Sequence, residues 1–151
     1  MEILTNPTYD QIHDGCINLS NQIKQNLPKV DYIIGLARGG LFPAVIISHI
    51  LNVPMLTVHY SSKEGVGDNK NHENILPDLS PRKSYVFVDD IADSGKTLAE
   101  IFKYYTLKKV VIHTAVLYYK EHKTNHLFAP DWYWQMIYED TGWICFPWEK
   151  Q

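Results

Sequence analysis

Ile12, Cys16, Leu19, Ile23 and Leu27 recur at steps of four, three, four and four, which sets them on one face of a helix predicted from Thr8 to Leu27. Thr8 with Gln11 three positions later has the spacing of a capping box, and Pro28 supplies the stop. A short apolar run, Tyr32 to Leu36, is followed by the pair Gly39 and Gly40 and then by the run Pro43 to Leu51, closed by Asn52. That order predicts strand, tight loop, and a helix with proline near its start. Leu56, Val58 and Tyr60 alternate within a second strand, Pro54 to Tyr60. From Ser61 to Ser80 the periodicity disappears under glycine, asparagine and charge, the mark of a long functional or disordered loop. Ser84 to Val88 is a strand running into acidic residues, Leu98, Ile101, Phe102 and Tyr105 share one helical face, and Lys109 to Tyr118 is a further strand. Strands alternating with helices of crossover length predict an α/β fold with a mostly parallel twisted sheet flanked by helices. Beyond Tyr119, Trp132, Tyr133, Trp134, Trp143 and Trp148 crowd a tail to which the pattern assigns no element type.

Composition narrows the class. With 151 residues, 45% hydrophobic and 21% charged, residues 1–151 are expected to form a single domain, and fibrous, disordered and disulfide-scaffold chains are excluded. The 14 basic and 17 acidic residues leave a net charge of -3, and only Arg38 and Arg82 are arginines, so no nucleic-acid footprint is expected. Apolar stretches such as Ala44 to Ile47 are far too short to span a membrane, and Met1 to Asp10 has no signal core; a cytoplasmic protein without a membrane partner is expected. Cys16 and Cys145 show no metal or redox spacing and are read as free thiols.

The candidate chemistry concentrates in VFVDDIADSGKT, Val86 to Thr97, where an apolar strand delivers three carboxylates and then a small-residue turn opening a helix. In parallel sheets the ligand crevice lies at the carboxyl ends of the strands. Ser94, Gly95, Lys96 and Thr97 can aim backbone N–H groups and hydroxyls at a phosphate, favoured by the helix N-terminus. Asp89 and Asp90 would repel that anion, so they call for hydroxyl donors or a hydrated divalent cation. Vicinal hydroxyls next to a phosphate describe a ribose 5-phosphate. Gly95, Lys96 and Thr97 imitate the end of a P-loop, but Asp90 stands where that motif needs glycine. The bland alternative is that the three aspartates only cap and solvate a turn.

This segment resembles the phosphoribosyl-pyrophosphate (PRPP) signature of the type I phosphoribosyltransferase family: an apolar strand, two acidic residues, two variable ones, then Asp, Ser or Thr, Gly and a further Thr or Ser. The resemblance implies that Asp89 and Asp90 hold the ribose hydroxyls and help to place Mg²⁺, and that Ala92, Asp93, Ser94, Gly95, Lys96 and Thr97 wrap the 5-phosphate. Upstream, Ala37, Arg38, Gly39 and Gly40 resemble the Ser-Arg-Gly-Gly pyrophosphate loop of bacterial xanthine-guanine phosphoribosyltransferases, with Ala37 in place of Ser. Members often hold a non-proline cis peptide there. On residue chemistry alone, a glycine pair after a strand is an ordinary turn, and Arg38 a fixed cation for phosphate oxygens.

Lys120 ends an apolar stretch, which sets an ammonium on the ligand side of the sheet or simply solvates a strand end. The resemblance extends to the xanthine-guanine and hypoxanthine enzymes, and it implies that Lys120 donates to the oxygen at purine C6. Trp143, Ile144, Cys145, Phe146, Pro147, Trp148 and Glu149 are similar to their Trp-Ile-x-x-Pro-Trp-acidic segment, so Trp143 and Ile144 are implied purine-binding residues, with Trp143 stacking on the base. Cys145 stands where xanthine-guanine enzymes carry an acid near purine C2, which leaves hypoxanthine, guanine and xanthine all open. Residues 61–80 coincide with the family's mobile hood, and 120–149 with its C-terminal base-binding segment.

The implied reaction is Mg²⁺-dependent transfer of the 5-phosphoribosyl group from PRPP to a 6-oxopurine in purine salvage, giving a nucleoside monophosphate and pyrophosphate, with Asp93 as acid/base. The family implies a homodimer or homotetramer. Two alternatives stay open: a PRPP- or nucleotide-binding regulator of the same fold with little catalysis, and a transferase for a different base.

Overall fold

The computed structural model describes residues 3–62, 75–121, 128–138 and 142–149. The elements are β1 (Ile3–Thr5), α1 (Tyr9–Asn26), β2 (Tyr32–Ala37), α2 (Leu41–Leu51), β3 (Met55–His59), β4 (Tyr85–Ala92), α3 (Lys96–Leu107), β5 (Ile112–Lys120), β6 (Trp132–Ile137), β7 (Trp143–Ile144) and a 3₁₀ turn (Pro147–Glu149). Five strands form one sheet in the order β3-β2-β4-β5-β6, every neighbouring pair parallel. β1 and β7 make a separate parallel ribbon.

The sheet is covered on both faces, as the alternation of strands and helices predicts. Ile12, Cys16, Leu19 and Ile23 of α1 and Ala44 and Ile47 of α2 pack on one face with Ile33, Val86 and Val88. Leu98, Ile101 and Tyr105 of α3 pack on the other with Ile34, Phe87 and Val116. Burying each such aliphatic side chain stabilises the fold by roughly 1.5–3 kcal/mol. Thr8 caps α1 in a reciprocal box: its N–H donates to Gln11 Oε1 at 2.9 Å, and the Gln11 N–H to Thr8 Oγ1 at 3.1 Å. Pro43 sits third in α2, where no N–H is needed for the helix ladder, and Asn52 ends that helix with left-handed backbone (φ 53°). No described helix is long and apolar enough to cross a membrane.

Three expectations need correction. β4 does not stop at Val88 but continues to Ala92, so the acidic pair lies within the strand. The reason is a slip of phase: Val86 and Val88 face the α1/α2 core and Phe87 the α3 core, yet Ile91 joins the first core and Ala92 the second. β5 slips in step, Leu117 and Tyr118 both packing in the first core, which preserves the pairs Asp89–Val116 and Ile91–Tyr118. β5 also begins at Ile112, three residues later than the apolar run. Lys109 adopts left-handed backbone (φ 61°), and the Val110 N–H donates back to Tyr105 O at 2.9 Å, so Lys109 and Val110 close α3.

Phe102 is not on the buried face of α3; it is 41% exposed and rests on Phe128, ring centroids 5.3 Å apart. Of the expected 61–80 loop, residues 75–80 form no helix or strand, and they are packed down on the sheet's α3 side. Leu76 and Leu79 pack on the α3 core, and Tyr105 Oη donates to Pro77 O at 2.7 Å. Residues 63–74, the centre of the expected hood, lie outside the described residues. The tail, to which the pattern assigned nothing, supplies edge strand β6 and ribbon strand β7.

Candidate active site

β2, β4 and β5 run parallel, so their carboxyl ends open on one edge of the sheet, and each delivers one of the motifs. After β2 the chain turns through Ala37, Arg38, Gly39 and Gly40, with a cis peptide between Ala37 and Arg38 and Arg38 exposed to solvent. The turn lies directly against β4. A Cβ on Gly39 would overlap the Asp90 carboxylate, and one on Gly40 would strike Val88 O and stand 2.6 Å from Leu36 O and 3.0 Å from Asp89 Cα. Glycine is required at both places for close approach.

Each carboxylate of the acidic pair accepts the N–H of the residue after it: Asp90 N–H to Asp89 Oδ1 at 2.9 Å and Ile91 N–H to Asp90 Oδ1 at 2.8 Å. Burial pushes the Asp89 carboxyl well above the usual carboxylate range, and the charge of Asp90 adds to the shift. Asp90 is raised too, mainly by burial, with a further push from Glu149. Among the described residues, no cation is close enough to lower either carboxyl. The pair suits a cation held jointly with oxygens of a substrate, the usual arrangement for Mg²⁺ at one or two protein carboxylates. Among the described residues, no cluster of three or more metal-ligating side chains forms a closed cage.

Beyond the pair, Ala92, Asp93, Ser94, Gly95, Lys96 and Thr97 line a cavity of about 220 Å³ together with Ser62, Asp89, Ile91 and Leu98. Gly95 has φ 82° and is pressed on Phe128, whose carbonyl oxygen would be 2.5 Å from an added Cβ. The Lys96 N–H reaches Ser94 Oγ at 3.3 Å, and no side chain caps α3. The cavity thus sits over a helix N-terminus, where an anion is favoured.

Lys120 closes β5 as a buried lysine, 5% exposed. Its Nζ lies 4.0 Å from Asp93 Oδ2 and donates to Gly142 O at 3.2 Å. Trp143, the residue after that carbonyl, is half exposed and its Nε1 donates to Glu149 Oε2 at 3.3 Å. Ile144 lies beside it in β7 with its side chain in the core. The half-buried Cys145 donates its N–H to Thr5 O at 3.1 Å.

The Ala37–Gly40 turn and the acidic pair therefore touch, as do Asp93 of the Ala92–Thr97 turn and Lys120, and the tail joins them through Gly142. Sequence reasoning did not assign roles to Ser62, which lines the cavity at the start of α3, or to Glu149, which touches Trp143 and acts on Asp90. Glu149 was visible as the acid that follows Pro147-Trp148; nothing in the sequence singled out Ser62.

A profile of the phosphoribosyl transferase domain matches residues 8–149. The chain is 28% identical to a xanthine-guanine phosphoribosyltransferase of Nitratidesulfovibrio vulgaris strain Hildenborough, over 95% of this chain and 83% of that protein. Among solved structures it is similar to a purine phosphoribosyltransferase from Pyrococcus horikoshii, with a TM-score of 0.76, 32% identity, and coverage of 97% of this chain and 94% of that one. A xanthine-guanine-hypoxanthine phosphoribosyltransferase from Helicobacter pylori shares the fold at 22% identity, with a TM-score of 0.76 and coverage of 96% and 92%.

Proposed function

The chain belongs to the phosphoribosyl transferase domain family, and from that premise we propose that it is a purine phosphoribosyltransferase that transfers the 5-phosphoribosyl group of PRPP to a 6-oxopurine, with Mg²⁺, for purine salvage. The observation that carries this reading is the contact between Lys120 and Asp93. It joins a buried cation suited to a base oxygen to the turn suited to a ribose phosphate, so a base and a phosphoribosyl group would meet at one place. A binder of PRPP alone would have no use for that cation or for the exposed indole of Trp143.

In this mechanism Asp89 and Asp90 accept the ribose hydroxyls, and the Ala92–Thr97 turn holds the 5-phosphate with its N–H groups. Mg²⁺, held at Asp89 and Asp90, would supply electrostatic stabilisation of the departing pyrophosphate. Arg38 and the Gly39 N–H bind the same leaving group as its charge grows, the Gly40 N–H being spent within the turn on Leu36 O at 2.9 Å. Lys120 donates to the C6 oxygen and Trp143 stacks on the ring, which orients a ring nitrogen toward the ribose C1. Asp93, 60% exposed at its side chain, takes the proton displaced on the purine as the new C–N bond forms.

The test is chromatography of nucleotide product after incubation with PRPP, Mg²⁺ and, separately, hypoxanthine, guanine, xanthine, adenine and uracil. A monophosphate from a 6-oxopurine is expected. Product from uracil or adenine only would overturn the base assignment. Absence of product from all five, with PRPP still bound, would overturn the transferase reading in favour of a regulator.

A further inference from the structure

The C-terminal 3₁₀ turn places a carboxylate on the base side of the site to which the mechanism above gives no work. Glu149 Oε2 accepts the indole N–H of Trp143 at 3.3 Å, across six residues of chain. Trp143 is half exposed, so little packing restrains its ring, and this hydrogen bond is a restraint on how the indole is tilted. The preceding residue is fixed as well, Gly142 O accepting from Lys120 Nζ. Two polar contacts thus bracket the ring, one on the main chain before it and one on its own edge.

Glu149 is itself anchored. Its N–H donates to Phe146 O at 3.0 Å. Its neighbour Trp148 lies flat between Phe42 and Phe146, with centroid separations of 4.6 and 4.7 Å and interplanar angles of 5° and 6°. The Trp148 indole N–H is buried without a hydrogen-bond partner among the described residues, so stacking rather than hydrogen bonding is what holds this ring. Phe146 is 1% exposed and packs on Tyr118 in the core, and Phe42 belongs to the first turn of α2, two residues after Gly40. A continuous set of contacts therefore runs from the pyrophosphate turn through the aromatic stack to Glu149 and on to Trp143.

We propose that Glu149 is a positioning residue for the base: its carboxylate, held by the Phe42–Trp148–Phe146 stack, fixes the Trp143 indole in the orientation that receives a flat heteroaromatic ring. The inference rests on the purine reading of Trp143 given above. A hydrogen-bonded ring need not be ordered when the base arrives, so binding is stronger by the entropy already lost. The carboxylate also draws on the indole N–H, which enriches the ring face in electron density and favours stacking on an electron-poor base.

The probes are inosine and guanosine monophosphates, titrated calorimetrically into wild type, E149A, E149Q, W143F, W143A and the double variant W143F/E149A. Losing one hydrogen bond of this kind weakens nucleotide binding by roughly three- to tenfold in E149A. E149Q keeps an acceptor oxygen and recovers binding to within about twofold of wild type. W143F removes the donor, so adding E149A to it brings no further loss beyond about twofold. Wild-type affinity in E149A, a loss in E149Q as large as in E149A, or additive losses in the double variant would each overturn the inference. Should E149A fail to fold, E149M takes its place, removing the acceptor while keeping the length of the side chain: a loss in E149M that E149Q does not share supports the inference, and wild-type affinity in E149M overturns it. Unchanged binding in W143A, or no nucleotide binding by wild type, would instead remove the purine reading of Trp143 on which the inference stands.

Discussion

Gly39 and Gly40 are adjacent, both meet β4, and should nevertheless fail in different ways when a methyl is added. At Gly40 the new Cβ meets main chain on every side: Val88 O, Leu36 O at 2.6 Å and Asp89 Cα at 3.0 Å. Main-chain atoms of two paired strands cannot swing aside, so the turn must lift off β4. Overpacking of that kind costs about 1–3 kcal/mol, which for a domain of this size lowers the melting temperature by roughly 3–10 °C. At Gly39 the three atoms nearest the new Cβ all belong to the Asp90 carboxylate, a side-chain end that can rotate. Gly39→Ala should therefore melt within about 3 °C of wild type but weaken binding of PRPP with Mg²⁺ on the order of tenfold, or ~1.4 kcal/mol, because the displaced carboxylate is one that would hold ribose and metal. Differential scanning calorimetry without ligand and isothermal titration with PRPP and Mg²⁺ separate the two losses. Wild-type melting of Gly40→Ala, or wild-type PRPP affinity of Gly39→Ala, would refute the argument that the turn is seated on β4 and on Asp90.

Other outcomes follow from single groups. Asp93→Asn should lower turnover with little loss of PRPP affinity, whereas Asp89→Asn with Asp90→Asn should weaken PRPP binding; steady-state kinetics and titration showing wild-type behaviour in all three proteins would remove the mechanism. Burial pushes the Cys16 thiol up to about 12, so at pH 8 a disulfide-exchange reagent should titrate one thiol, Cys145, in the folded protein and two after denaturation; two fast thiols in the native protein would contradict the packing of α1. Asp31 accepts the Ser84 N–H at 2.7 Å, and that bond, with a smaller contribution from Lys29, holds its carboxyl below the usual range. A depressed folded-state pKa contributes stability above the unfolded value of about 3.9 and loses it as pH falls through the lower folded value. Asp31→Asn should thus melt below wild type at pH 7 and converge with it below about pH 4; a gap constant with pH would show that the charge adds nothing.

Much of the architecture was legible because its signals are long. The eighteen residues of α1 repeat one apolar face often enough to be read directly, and the capping box marks where it starts. The carboxyl end of β4 was not legible from the pattern, since alternation assumes an unbroken pleat. Between Val88 and Ile91 the pleat slips by one residue, and β5 slips beside it, so two consecutive acids end a strand that still continues. β1 and β7 have three and two residues, too few for any period to show, and only their pairing with each other defines them. At the site, residue types and spacing pointed to Asp89, Asp90 and Ser94 to Thr97 because the chemistry is local, and the family resemblance extended the turn back to Ala92. Which side chains Lys120 and Glu149 touch depends on chain closure over 27 and six residues, and local pattern carries no information about that.

The charges on this edge of the sheet constrain its ligand. Asp89 and Asp90 stand side by side with raised pKa values, and Glu149 adds its charge to Asp90. Of the cations singled out at the site, Lys120 is engaged with Asp93 and Gly142, and Arg38 is exposed to solvent. A bare polyanion would meet carboxylates at the one point where it must approach the sheet, and its repulsion there would grow with its charge. A neutral or cationic ligand would suit the acids and waste the helix N-terminus at Gly95. The ligand that satisfies both halves carries phosphate toward α3 and, toward Asp89 and Asp90, hydroxyl donors together with a bound divalent cation. PRPP with Mg²⁺, the substrate proposed above, has that division of charge.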